Sequence, residues 1–144
     1  MSNSVEATAT PDLVTRVWKG AVAGIAGGLV FGMMMAMTGM LTMIASMMGS
    51  DSALVGMLIH LMIGAGFGAG FGLVAGGIAN RIGPVLGAGA AYGVAWWIIG
   101  PLAAMPMMMG MPMFSIDQTA MMSLVGHVVY GLVTAVALFF LSRR

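Results

Sequence analysis

Four long apolar stretches are the feature that most constrains this chain. They cover residues 20–48, 53–79, 84–109 and 120–141. Each is long enough to cross a hydrocarbon core, which needs about 20 residues of helix. Charged residues make up only 6% of the chain, whereas a soluble globular protein has about a quarter. The sequence therefore predicts an all-α integral membrane protein with four transmembrane helices, surrounded by the lipid bilayer.

Little of the chain remains outside these stretches. We expect residues 1–16 to form a disordered cytoplasmic tail and residues 17–144 to form one transmembrane domain. The tail has no basic start of the kind that a secretory signal needs. The chain lacks a phosphate-binding loop, a Ser-His-Asp set, a carboxylate pair and a zinc-ligand spacing. We therefore expect that it is not an enzyme, and its net charge of +1 predicts no nucleic-acid partner.

The five basic residues predict the orientation. They lie before the first stretch, between the second and third, and after the fourth, so an even number of spans places them on one side. Basic residues concentrate on the cytoplasmic side of membrane proteins, which predicts that both termini are cytoplasmic. The residues are Arg16, Lys19, Arg81, Arg143 and Arg144.

The opposite loops carry two acidic residues. Asp51 and Asp117 each come just before an apolar stretch. A carboxylate at this place can accept hydrogen bonds from the free amides of a helix N-terminus. We expect both residues to cap helices.

The two halves of the chain resemble each other. The segment "HLMIG" begins at His60 and the segment "HVVYG" begins at His127. A Phe-Gly pair in the first stretch matches a Tyr-Gly pair in the third. The pattern predicts two tandem two-helix repeats, over about 20–79 and 84–141, related by an axis along the membrane normal.

His60 and His127 are the only histidines in the chain. Each lies seven residues after the start of its stretch, about 10 Å below the outer boundary at the helical rise. Because their depths match, we expect the two imidazoles to approach one another rather than face lipid. Ionisable residues inside a membrane are costly and are functional candidates by default. Each imidazole could instead bond a neighbouring helix, since polar side chains also link transmembrane helices.

Rows of small residues at a spacing of four share the faces of these histidines. Such rows let another helix approach closely, but they could also admit a flat macrocycle. The combination resembles membrane cytochromes b, in which two histidines from facing helices hold each haem. This resemblance implies haem b with His60 and His127 as its axial ligands.

The methionines are confined to one half of the predicted bundle. The chain has 19 methionines and no cysteine, and apart from Met1 all of them fall in the outer half. Thioethers bind Cu(I) well, and they form no disulfides in an oxidising compartment. Adaptable packing at a subunit contact is the alternative, because methionine side chains are flexible. The candidate metal ligands are Met33, Met37, Met40, Met57, Met105, Met107, Met109, Met111, Met113, His60 and His127.

Part of this pattern resembles the Ctr-type copper importers. Those proteins combine Met-x-Met segments, a Met-xxx-Met pair within a helix and a Gly-xxx-Gly helix. The matching residues here are Met111 with Met113, Met33 with Met37, and Gly64 with Gly68. The chain departs from that family in having four predicted spans and no cysteine or histidine near its cytoplasmic end.

The chain as a whole resembles small four-helix bacterial membrane proteins of unknown function. The shared phrases are "FGMMMAMTGM", "WWIIGPLAAMP" and "GHVVYGLV". The resemblance implies a multi-pass protein of the bacterial inner membrane and brings no activity with it.

Three functions follow from the sequence. The first is a membrane protein that handles Cu(I) at the outer side through methionines and the two histidines. The second is a haem b electron-transfer subunit. The third is a cofactor-free accessory subunit of a larger membrane complex. We also expect the chain to act as a homo-oligomer or within such a complex.

Overall fold

The computed structural model describes residues 11–143, and in this range the chain is helical, without strands. Six α-helices and one π-helical turn follow one another. They are α1 (Leu13–Thr38), α2 (Met40–Ser46), α3 (Ala53–Ala75), α4 (Ile82–Ile99), the π-turn (Gly100–Ala104), α5 (Met105–Met108) and α6 (Gln118–Ser142).

Four segments are long and apolar enough to cross a membrane. They are Leu13–Thr38, Ala53–Ala75, Ile82–Met108 and Gln118–Ser142. The prediction of an all-helical chain with four membrane-length helices is therefore confirmed. The duplication, the cytoplasmic location of both termini and the bacterial inner membrane stay predictions.

The first apolar stretch differs from the single helix that we expected. Helix α1 begins at Leu13, inside the segment assigned to a tail, because Asp12 caps it by accepting a hydrogen bond from the Thr15 amide at 2.7 Å. Hydrogen bonds from the Thr15 side chain and amide lower the pKa of the Asp12 carboxyl. Residues 1–10 of the predicted tail lie outside the described residues. At its other end α1 stops at Gly39, whose φ of 73° is left-handed, a conformation that glycine adopts at little cost.

The end of the bundle away from Leu13 and Ser142 is called the outer end, after the predicted orientation. The third membrane segment leaves the regular α-helix at this outer end. Pro106 has no N–H, so it cannot donate to Leu102 four residues earlier. Instead, the Phe114 amide donates to the Leu102 carbonyl at 2.7 Å. The methionine-rich loop after α5 is thereby folded back over the end of this segment.

The capping prediction is correct at one of two positions. The Asp117 carboxylate accepts a hydrogen bond from the Ala120 amide at 2.7 Å and caps α6. The prediction for Asp51 was wrong, because Ser52 is the N-cap of α3. The Ser52 hydroxyl accepts a hydrogen bond from the Val55 amide at 3.5 Å. Helix α3 therefore begins one residue later than it would with Asp51 as its N-cap.

Helix α1 lies between α3 and α6 and packs on both of them. It meets α3 at glycines, and a Cβ atom at Gly68 would overlap the backbone of Gly20 and Gly24. Helices α4 and α6 meet in the same way at Gly89 and Gly131. In the predicted duplication, Gly28 is the equivalent of Gly89 and Gly64 is the equivalent of Gly131. Gly28 and Gly64 are also neighbours.

The apolar core is divided between the two ends of the bundle. At the inner end it consists of small and branched side chains around Phe71 and Leu138. At the outer end it consists of Phe31, Met35, Leu41 and Tyr130, with further methionines packed against it. The inner end is thus closed by tightly packed side chains, while the outer end holds the flexible ones.

Candidate functional site

A cavity of about 660 Å³ lies at the outer end of the bundle, between α3 and α4. These two helices have few close approaches compared with the other neighbouring pairs. They meet mainly through aromatic rings, since Phe67 stacks on Trp96 at 3.8 Å between centroids and the Tyr92 hydroxyl donates to the Phe67 carbonyl at 2.7 Å. The volume is in the range of about 300–1,000 Å³ that small-molecule sites occupy.

Methionine is the most frequent residue in the wall of this cavity. Eight methionines line it together with both histidines. They come from α1, α2, α5 and the loop that follows α5. They are Met35, Met40, Met43, Met47, Met48, Met105, Met109 and Met111.

The structure brings six of the predicted ligands to this one cavity and leaves five elsewhere. Those at the cavity are Met40, Met105, Met109, Met111, His60 and His127. Met33 and Met37 point outward from α1, with 58% and 88% of their surface exposed. Met57 lies between α1 and α3 against Gly32, and Met107 and Met113 are exposed on the outer loop. The helical Met33 and Met37 pair therefore does not take part in the cavity.

Four cavity methionines were absent from the predicted ligand set. Met43, Met47 and Met48 belong to α2 or follow it, and their direction depends on the turn at Gly39. If residues 20–48 had formed one straight helix, these side chains would lie further along the axis of α1 and not at the cavity. The signal in the sequence was the concentration of methionines in the outer half of the predicted bundle. This signal does not show on which face of a helix each methionine lies.

His60 is buried on α3 and is tied to α1. Its Nε2 lies 3.1 Å from the carbonyl oxygen of Gly28. A carbonyl only accepts hydrogen bonds, so in the neutral imidazole the N–H is on Nε2 and Nδ1 carries a free lone pair. A bond of this type to a backbone carbonyl commonly orients a metal-binding histidine.

His127 on α6 has the opposite arrangement of its ring nitrogens. Its Nδ1 donates to the carbonyl of Ser123, one turn earlier, at 2.8 Å. The free lone pair is therefore on Nε2. Each histidine thus keeps one nitrogen without a hydrogen bond among residues 11–143, and its ring orientation is fixed by a bond to the backbone.

The Phe31 ring contacts both imidazoles. Its centroid is 5.2 Å from that of His60 and 5.0 Å from that of His127, and both contacts are edge-on. The centroids of the two imidazoles therefore lie within about 10 Å of each other. The predicted approach of the two histidines is confirmed.

No protein-family model, curated protein or solved structure matches this chain.

The haem alternative stays a prediction. Two axial histidines would hold the iron between their imidazoles. Phe31 contacts both rings and its side chain is only 6% exposed.

Hard metal ions also find few donors here. Within residues 11–143 no group of three or more His, Cys, Asp and Glu residues could hold a metal ion. Asp117 is the one charged side chain in the cavity wall, at the outer rim with Ser115 and Thr119, and one of its oxygens already caps α6. The donors that the wall supplies in number are thioethers.

Proposed function

We propose that this protein binds Cu(I) in the cavity at the outer end of the helix bundle. The observation that carries the proposal is the lining of a single cavity by eight methionines and both histidines of the chain. Thioether sulfur is a soft donor that selects Cu(I) over harder ions, and imidazole also suits copper. A chain without cysteine can offer these donors without forming disulfides on an oxidising side.

The proposed orientation places the cavity on the non-cytoplasmic side. The basic residues support it, because the four in the described part of the chain, Arg16, Lys19, Arg81 and Arg143, lie at the end of the bundle that is opposite the cavity. Both termini are then cytoplasmic, and the outer loop before α6 faces the periplasm of a bacterial inner membrane. Two tandem two-helix repeats would supply the histidines, one from each repeat.

We further infer that the protein binds copper and passes it on at the outer side, without conducting it across the membrane. Below the cavity the bundle is closed by the inner core, in which Ala23, Phe71, Val85, Ala135 and Leu138 are almost fully buried. These side chains offer no sulfur, nitrogen or oxygen donor along a path. An ion that entered from the outside would leave by the same route.

The experiment uses two methionine pairs from α5 and the loop that follows it. Met109 and Met111 line the cavity, whereas Met107 and Met113 are outside its lining. All four side chains are exposed to a similar degree. Replacing either pair with Leu keeps most of the apolar volume, removes two thioethers and is expected to disturb packing little. Cu(I) affinity is measured by competition with a chromophoric Cu(I) chelator on purified protein.

The proposal predicts different results for the two pairs. The Met109→Leu/Met111→Leu variant should bind Cu(I) at least about tenfold more weakly, which is about 1.4 kcal/mol. The Met107→Leu/Met113→Leu control should bind like the unchanged protein. Equal affinities in all three proteins would contradict the proposal and leave the accessory-subunit function, in which methionines only pack against a partner.

A further inference from the structure

The cavity at the outer end of the bundle is much larger than a metal ion. Its volume is about 660 Å³, so a single Cu(I) ion would fill only a small part of it. The interiors of proteins contain few voids larger than a water molecule. A space of this size therefore needs an occupant besides the ion, and this holds whether or not copper is bound.

One face of α3 shows where the cavity is open. Ile59, Ile63 and Phe67 follow one another at a spacing of four residues, and all three line the cavity. Ile63 lies about 15 Å from the outer end of α3 at the helical rise, and 45% of its surface is exposed. A lining residue that is exposed so far from the outer end indicates that the cavity opens at the side of the bundle. In a bilayer, whose hydrocarbon core is about 30 Å thick, this opening faces the acyl chains of the lipids.

The gap between α3 and α4 ends at an aromatic stack. The centroids of the Phe67 and Trp96 rings are 3.8 Å apart, and the Tyr92 hydroxyl donates to the Phe67 carbonyl at 2.7 Å. Phe67 and Trp96 are the innermost residues of α3 and α4 that line the cavity. The two helices have few other close approaches. The gap therefore extends from the outer end of the bundle inward to this stack.

The wall along the gap is apolar and carries no charge. It is formed by α3 and the third membrane segment, with the side chains of Ile59, Ile63, Phe67, Trp96, Pro101 and Met105. The one carboxylate of the lining, that of Asp117, lies at the outer rim. Apolar cavities in proteins stay dry and take up apolar molecules instead. The gap is thus suited to hydrocarbon and not to water.

We propose that the cavity takes up one acyl chain of an outer-leaflet phospholipid through the gap between α3 and α4. The chain lies along Ile59 and Ile63, with its end against the Phe67–Trp96 stack and its headgroup at the outer boundary. A water molecule takes about 30 Å³ of the liquid and a methylene group is of similar size, so the cavity has room for roughly 20 carbons. This is enough for one acyl chain and too little for two. The flexible methionine side chains of the lining can adapt to the chain.

The test labels the residues that the end of an acyl chain reaches. The full chain, without added metal, is reconstituted in vesicles of phosphatidylethanolamine and phosphatidylglycerol, in which a small fraction of the lipid carries a photoreactive diazirine at the end of one acyl chain. After illumination, mass spectrometry of peptides identifies the labelled residues. Labels are expected on Trp96 and Tyr130, which line the cavity, and on Met62, which is exposed outside the lining. Because Tyr130 is only 5% exposed, a label there reports a chain inside the cavity.

Two tryptophan variants of α3 test the route of entry. Ile63→Trp fills the opening and should lose the labels on Trp96 and Tyr130 while it keeps the label on Met62. Leu58→Trp is the matched control, since Leu58 is exposed on the same helix but does not line the cavity, and its labels should equal those of the unchanged protein. If the larger side chain at position 63 prevents folding, Ile59→Trp, one turn nearer the outer end, blocks the same gap.

The outcomes separate the lipid site from the copper site. Labels on Met62 alone in the unchanged protein would overturn the proposal, and this is the result expected if a second copy of the chain covered the gap. Equal labelling of Tyr130 in the Ile63→Trp and Leu58→Trp variants would overturn it as well. Neither result depends on copper, so Cu(I) binding measured separately would stand, and a failure to bind Cu(I) would leave the labels on Trp96 and Tyr130 as support for the lipid site.

Discussion

The Phe31 ring contacts the His127 imidazole edge-on, with 5.0 Å between the ring centroids. The contact joins α1 to α6 at the floor of the cavity, and Phe31 also belongs to the outer part of the core. The residues that shape the candidate site are thus the same ones that hold the outer half of the bundle together. Tests of function therefore need variants that spare the packing.

The packing of α1 on α3 can be tested with two glycines of α3. Gly68→Ala should lower the free energy of unfolding by about 1–3 kcal/mol, because its Cβ would overlap the backbone of α1. Gly66→Ala is the matched control, since a Cβ at Gly66 meets nothing within 4 Å. Alanine there should be neutral or stabilising by up to about 1 kcal/mol.

Unfolding in detergent, titrated with a denaturing surfactant, measures both variants. Equal stability of the two would show that α1 and α3 do not pack through these glycines.

Helix capping at the rim of the cavity gives a second comparison. Asp117→Ala removes the acceptor for the Ala120 amide and should lower the free energy of unfolding by about 0.5–2 kcal/mol. Asp51→Ala should change it by less than about 0.5 kcal/mol, because Ser52 caps α3. Thermal unfolding of both variants in the same detergent decides the matter, and a larger loss for Asp51→Ala would contradict the assigned caps.

The start of α1 should depend on pH. Hydrogen bonds from the Thr15 side chain and amide lower the pKa of Asp12. The carboxylate therefore stabilises the helix start at pH values above the pKa of the unfolded chain. This stabilisation is lost as the pH falls through the lowered pKa of the folded protein. Hydrogen exchange of the Thr15 amide should therefore speed up on acidification, after correction for the intrinsic rate.

Asp12→Asn is the control for this effect. The amide oxygen can still accept the hydrogen bond but does not titrate. The same acceleration in the Asn variant would show that Asp12 is not its source.

The orientation can be tested independently of any metal. A reporter that is active only in the cytoplasm should work when it is fused to the C-terminus and should fail when it is inserted after Gly49, in the loop between α2 and α3. The reason is that Arg16, Lys19, Arg81 and Arg143 lie at one end of the bundle. The reverse pattern of activity would place the methionine-lined cavity on the cytoplasmic side.

The number and nature of the long helices could be predicted because they depend on the local sequence. Twenty or more apolar residues are enough to predict a membrane-length helix. The approach of His60 and His127 also followed from their equal depth. Both predictions use only position along a helix axis.

The set of residues that line the cavity could not be predicted, because it depends on where the helices are interrupted. The left-handed turn at Gly39 redirects the methionines of α2 toward the cavity. The methionine loop returns over α4 because Phe114 replaces the hydrogen bond that Pro106 cannot make. Phe31 was also not predicted, since an apolar residue on an apolar helix gives no signal that it contacts two histidines.

The metal content of the purified protein tests the central claim most directly. The chain is expressed with copper and haem precursor both supplied, purified anaerobically under reducing conditions, and analysed for metals and for absorption in the visible range. The account predicts bound copper in a stoichiometric amount, colourless protein and loss of that copper in the Met109→Leu/Met111→Leu variant. Protein that contains neither copper nor haem, or that binds haem through His60 and His127, would contradict it.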